Sequence, residues 1–432
     1  MRKTVSYTVA DIQKFKDSLL NWSRRFREIV WLEGNGHADV YSSFDAILAV
    51  DAFTSIQSNF HDAFLDLQQY QSKTKDWLFG YLSYDLKNDV EQLSSNNPDG
   101  LDFPELFFFQ PKKIIRLKGN LVDFIYLHTL EDEIEQDFGS LLGGDFANPE
   151  AVPTSKDIRI HMRIFKDEYF SRVEKMLAHI HRGDIYEANF CQEFYSKDTQ
   201  IDALRIYQKL NIISRAPFSV YLKLNDKYLL SASPERYLKK MGTRIISQPI
   251  KGTARRSPNE IEDEKLRLSL ARDKKERAEN IMIVDLVRND MSKSALKRSV
   301  AVEELGKVYT FKQVHQMIST VTARVEPTKN PVEIIKETFP MGSMTGAPKI
   351  SAMRIIEELE SFKRSLYSGA VGYFTPKGDF DFNVVIRSIL YNATKEYVSF
   401  SVGSAITAMA DPEHEYEECL VKAKAMREVL EG

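Results

Sequence analysis

Apolar residues recur along this chain at two spacings, and their succession outlines a fold. Over 166–181 they fall at Phe170, Val173, Met176, Leu177 and Ile180, the spacing that lays one stripe along a helix, and Gly183 follows where a left-handed cap costs least. A long helix is predicted over 260–290. A last one starts at Asp411-Pro412, an N-cap followed by proline at the first helical position. Strands are predicted over 46–53, 77–84, 113–128, 185–194, 221–231 and 244–250. The stretch 371–407 reads as three strands joined by Pro-Lys-Gly-Asp and Asn-Ala-Thr-Lys turns, which makes its neighbours antiparallel. Hairpins in series, with helices between groups of strands, predict an α+β protein built on large antiparallel β-sheets flanked by helices, not a doubly wound parallel one. Gly, Pro, Ser and Asn concentrate over 139–156, the composition of a surface connection, and divide the chain into lobes 1–150 and 157–432.

Charge and cysteine usage narrow the class. Among 432 residues, 59 Lys+Arg face 62 Asp+Glu for a net charge of -3, with no basic block to neutralise a run of phosphates, so nucleic acid is not an expected partner. The two cysteines, Cys191 and Cys419, form no CxxC pair and suit a reducing compartment. The opening MRKTVSYTVADIQKFKD has no apolar core of a signal peptide, and no stretch approaches the roughly 18 apolar residues of a span; a cytoplasmic protein without membrane contact is expected.

Five groups of residues have the makings of chemistry. Glu279 and Asp285 lie in RAENIMIVDLVRND, a helix apolar nearly all round and therefore expected to be buried, where each carboxylate needs a partner. That partner is either Arg277 or Arg288 in a structural network, or a metal. In the last helix Glu415, Glu418 and Lys422 share one face, supplying either hard oxygen ligands of the kind Mg²⁺ prefers or acidic complements to the helix dipole. The loop MGSMTGAPK, with Gly342, Gly346 and Pro348, runs straight into a helix and serves as an anion cradle or as a plain helix start. It lacks the Gly-Lys-Ser/Thr of an NTP-binding loop. Arg387 interrupts an apolar strand in the hairpin that also carries Tyr373, and calls for a carboxylate, from a substrate or from an internal acid. Finally, Lys251 ends a strand before Gly252, and Glu235 sits just past another. A lysine attacks only when neutral, and at a pKa near 10.4 less than about 0.1% is neutral at pH 7, so a nucleophilic Lys251 requires burial to lower that value; otherwise it is an exposed turn lysine.

The ordered motifs GDIYEANFCQEF, SASPER, PIKGTARR, RAENIMIVDLVRND, MGSMTGAPK, GYFT with VIRS, and EYEECLVKA resemble those of the chorismate-utilising enzymes from 166 to the C-terminus, and more loosely through GYLSYDLKND before it. Among these the chain is most similar to the aminodeoxychorismate synthase component I family. It is more distantly similar to anthranilate synthase component I and to the isochorismate and salicylate synthases. The resemblance implies a two-lobed architecture, with an N-terminal lobe of the anthranilate synthase component I type and a chorismate-binding catalytic domain. It implies Mg²⁺ as cofactor, with Glu279 and Glu418 as ligands and Glu415 holding metal-bound water. His315 and Thr345 match residues that contact the ring or its carboxylate, Tyr373, Arg387 and Gly403 match the enolpyruvyl carboxylate site, and Lys422 matches a lysine near the metal. Lys251 matches the covalent nucleophile that adds to C2 as the C4 hydroxyl leaves with a proton from Glu235, before ammonia enters at C4. The implied activity is amination of chorismate to 4-amino-4-deoxychorismate, on the route to 4-aminobenzoate and folate. The alternatives are anthranilate synthase component I, against which Lys251 argues, and a non-catalytic chorismate-binding paralogue. Neither cysteine suits a glutaminase, so a separate glutamine amidotransferase is the expected nitrogen-supplying partner. No counterpart of a tryptophan-binding motif is found, and feedback by tryptophan is not predicted.

Overall fold

Strand alternation sets the architecture. In the strands Glu28–Glu33 and Ala46–Ser58, Ile29, Trp31, Leu48 and Val50 enter one core while Val30, Ile47 and Ala49 enter another, so both faces of the sheet are covered. The first core is closed by the helices Lys166–Arg182, Ala203–Ser214 and Pro412–Glu431 through Val173, Met176, Leu204, Tyr207, Cys419 and Met426. The second holds the aromatics Phe79, Phe108, Phe374 and Phe382, the last three meeting tilted or edge to face, and is completed by Ile283, Val284 and Val287 of the helix Lys274–Ser292.

The computed structural model describes residues 1–37, 40–59, 61–144, 154–155, 157–312 and 314–432. Their 20 strands join into one branching sheet. The fork is the long strand Leu106–Lys118, which pairs with Ala46–Ser58 along one edge and with Leu78–Leu82 and then Leu121–Leu127 along the other. One branch continues through Glu28–Glu33, Phe218–Leu224, Lys227–Ser233, Ser388–Asn392, Tyr397–Thr407 and Glu187–Ser196. The other runs from Leu78–Leu82 through Ala370–Phe374, Phe380–Val384, Arg236–Met241 and Arg244–Gln248 to Val314–Arg324. All these pairings are antiparallel, as the hairpin pattern predicted. In each branch a strand from before the expected connection over 139–156 pairs directly with one from after it; most of that connection lies outside the described residues. Among the described residues no helix is long and apolar enough to cross a membrane.

Four predicted elements divide in two. The stretch 221–231 turns at Asn225, whose positive φ of 52° closes a hairpin, and 113–128 turns at Gly119 with φ 56°. The helix predicted over 260–290 breaks at Asp273, which leaves helical geometry and caps the next helix by accepting a hydrogen bond from the Glu276 amide. That second helix is buried on one side only: Ile281 is 45% exposed, and Asp285 pairs with Arg288 at the surface rather than inside. The middle strand of 371–407 is interrupted between Val384 and Ser388, where Arg387 takes a left-handed backbone with φ 54°. This break turns Arg387 out of the sheet toward a cavity of about 710 Å³.

Candidate active site

The cavity, about 710 Å³, forms where the strand Ile250–Arg255, the middle of Tyr397–Thr407, the turn Gly342–Met344 and the helices Lys274–Ser292 and Pro412–Glu431 converge. Lys251 enters from the first of these. Gly252 behind it has φ 97°, and an added Cβ would press on Glu276 and Met317, so the turn that aims the lysine belongs to glycine. The Lys251 Nζ stands 4.0 Å from Glu187 Oε1 and 3.9 Å from Glu279 Oε2.

Those neighbours overturn the expectation that burial leaves this amine neutral. Burial alone pushes the Lys251 pKa down, but Glu187, Glu279, Glu418 and Glu276 more than reverse it and hold the ammonium charged above the ordinary lysine value. Glu235 is 5% exposed, and burial raises its carboxyl to about 7, against the hydroxyl of Ser343, which donates to Oε1 at 2.6 Å, and the Lys251 charge. Burial likewise raises Glu279 to about 7, Glu276 adding to the effect and Lys251 opposing it.

The acidic side chains of the two helices meet across the cavity. Lys275 Nζ lies 3.5 Å from Glu415 Oε1 and 3.9 Å from Glu279 Oε1, and the hydroxyl of Ser404 donates to both Glu415 and Glu418. Hard carboxylate oxygens holding a cationic charge between them are the donor chemistry Mg²⁺ takes. Among the described residues, however, no three side chains are gathered as a ready ligand group. Lys422 pairs with Glu418 and donates to the Gly403 carbonyl at 2.8 Å. Gly403 is a point of close approach: a Cβ there would lie 2.6 Å from Cys191 Sγ and 3.0 Å from the Asn189 amide. Gly403→Ala is therefore expected to lower stability by about 1–3 kcal/mol through overpacking, read as a fall in the unfolding midpoint in urea.

Arg387 is half-buried on the cavity wall, and its side chain has no hydrogen-bond or ion-pair partner among the described residues. The internal acid that would have explained it is absent there. Burial pulls its pKa below the ordinary arginine value, with Tyr367 and Glu418 opposing. An anionic ligand is what such a guanidinium lacks.

Three expected residues lie elsewhere. Val314 and Gln316 line the cavity, so His315 between them faces the other side of its strand, where it meets the Thr310 hydroxyl at 2.9 Å and Asp263 at 3.0 Å. Thr345 is buried, donating to the Gly342 carbonyl at 3.1 Å; Ser343 and Met344 of the same turn reach the cavity instead. Tyr373 stacks 5.7 Å from Phe79 and lines a separate cavity of about 300 Å³ beside Arg236 and Asp381. The tyrosine on the main cavity is Tyr367, from the preceding loop. Sequence reasoning also missed Glu187, Lys275 and Glu276. Only Glu187 carried a signal, as an acid inside the GDIYEANF motif on a predicted strand.

A half-buried lysine, a carboxyl poised near neutrality and an arginine without an internal partner among the described residues meet in one cavity, an arrangement suited to a small anionic ligand. The chorismate binding enzyme family matches residues 27–428, and the chain belongs to that family. It is a chorismate-utilising enzyme. An anthranilate synthase component I-like protein of Synechocystis sp. is 35% identical over 357 residues, covering 82% of this chain and 73% of the relative. The aminodeoxychorismate synthase component 1 of Salmonella typhimurium is 39% identical over 265 residues, 61% of this chain and 58% of that protein. In fold, the chain is similar to the crystal structure of anthranilate synthase component I from Streptococcus pneumoniae, with a TM-score of 0.77 at 24% identity, covering 90% of this chain and 94% of that one.

Proposed function

We propose that this enzyme aminates chorismate at C4 to give 4-amino-4-deoxychorismate, using ammonia released by a separate glutamine amidotransferase, on the route to 4-aminobenzoate and folate. The observation that carries the reading is the placement of Lys251 and Glu235 on one cavity wall system, a lysine and a matched acid facing the same space. Arg387 grips the enolpyruvyl carboxylate. Glu235, protonated below about 7, gives its proton to the C4 hydroxyl as water leaves, while the Lys251 amine forms a bond to C2. Ammonia then bonds to C4 and the lysine departs from C2, which restores the free amine. A magnesium ion held by Glu279, Glu418 and, through water, Glu415 would grip the ring carboxylate and offset the acidic charges that keep Lys251 protonated.

The nearest second reading is anthranilate synthesis, supported by the 35% identity to the anthranilate synthase component I-like protein of Synechocystis sp.. One assay separates them. Purified protein is incubated with chorismate, Mg²⁺ and ammonium, then treated with aminodeoxychorismate lyase. 4-Aminobenzoate appearing only with the lyase is the expected result; anthranilate appearing without it moves the chain to the second reading.

A further inference from the structure

Most carboxylates around the cavity have a task visible in the structure: Glu235 takes the Ser343 hydroxyl, Glu415 holds Lys275 and Ser404, and Glu418 holds Lys422. Glu187 has only Lys251. It opens the strand Glu187–Ser196 and is fixed on both edges, opposite Ala347 on one side and Thr407 on the other. Alternation puts it on the same face as Asn189, which lines the cavity. The side chain is 3% exposed, its Oε1 lies 4.0 Å from Lys251 Nζ, and its Oε2 has no hydrogen-bond partner among the described residues.

A buried carboxylate with one oxygen unsatisfied and the other just beyond hydrogen-bond range is costly, and nothing in the packing of the strand requires it. We infer that Glu187 is a positioning residue for the nucleophile: by accepting a hydrogen bond from the Lys251 amine it fixes the direction in which that amine presents its lone pair. This rests on the amination reading above, in which Glu279 turns to the metal and leaves Glu187 as the carboxylate facing Lys251. The backbone of Glu187 is anchored, so a small rotation of the side chain closes the 4.0 Å gap without moving the sheet.

The test uses the full chain with Glu187→Leu and Glu187→Gln. Leucine keeps the volume and removes the acceptor, and replacing a buried charge by an apolar group preserves folding. Glutamine keeps an acceptor oxygen without the charge. Chorismate and Mg²⁺ are added without ammonium and the Lys251 adduct is followed by intact-protein mass spectrometry; ammonium is then supplied and kcat and KM for chorismate are measured. Glu187→Leu is expected to slow adduct formation and kcat about 30-fold with KM within about 2-fold, and Glu187→Gln to restore most of the loss. An adduct formed at the wild-type rate by the leucine variant overturns the inference, as does a glutamine variant as slow as leucine, which would assign the effect to charge and not to aim. A rise in KM at constant kcat overturns it too, marking a purely structural role. A wild-type chain that forms no lysine adduct removes the amination reading itself.

Discussion

Lys251→Ala is expected to lower kcat for chorismate amination by at least about 10³-fold while leaving chorismate affinity within a few-fold, and to abolish the covalent adduct seen by mass spectrometry. The size follows from what the side chain does in the proposed route. Removing it takes away the group that displaces the C4 hydroxyl, whereas Arg387 and the acidic helix faces that hold the substrate are untouched. Lys251→Arg is expected to be equally inactive, because a guanidinium stays protonated and offers no lone pair. An alanine variant that aminates chorismate at the wild-type rate would falsify the nucleophilic assignment.

Glu235→Gln should cost about 10²- to 10⁴-fold in kcat and change the pH profile. With a folded-state pKa raised by burial to about 7 from 4.5, the acid form of Glu235 predominates below 7, so the rate it supports is present there and is lost as pH climbs through 7. In the glutamine variant that alkaline fall should vanish from kcat/KM measured between pH 5 and 9. The same raised pKa bears on folding. The unfolded chain ionises this carboxyl freely above 4.5 while the folded chain resists until about 7, so its contribution to stability is full below 4.5 and drains away as pH rises across that interval. Denaturant midpoints of the wild type should show that slope, and those of Glu235→Gln should not. A profile identical in both proteins assigns the proton donor elsewhere.

Much of this was legible before any coordinates. Turns marked by Pro, Gly and Asn in 371–407, and the Asp411 cap, announced themselves by residues whose backbone preferences are strong. Two of the missed breaks share a cause, whereas the turn at Gly119 fell on a glycine the sequence did show. Asn225 turns a strand whose flanks are apolar on both sides, and Asp273 stops a helix inside ARDKKERA, where every neighbour is a good helix former, so no glycine or proline signals the end. In the site, Lys251, Glu235, Glu279, Glu415, Glu418, Arg387, Gly403 and Lys422 were brought to one cavity. His315 and Tyr373 were not, because period-two alternation says that neighbours face opposite ways without saying which way is the cavity. The charge on Lys251 could not be read from its own segment at all. It is decided by Glu187, Glu279, Glu418 and Glu276, which arrive from three other elements, and proximity of that kind exists only after folding.

The interleaving of the sheet has a further consequence. Glu28–Glu33 lies against Phe218–Leu224, and Leu78–Leu82 against Ala370–Phe374. A fragment lacking the first third of the chain would bare two unsatisfied strand margins, each a ready template for sticking to a second copy. The residues that line the site cavity therefore depend for their solubility on a segment that contributes none of the lining named here.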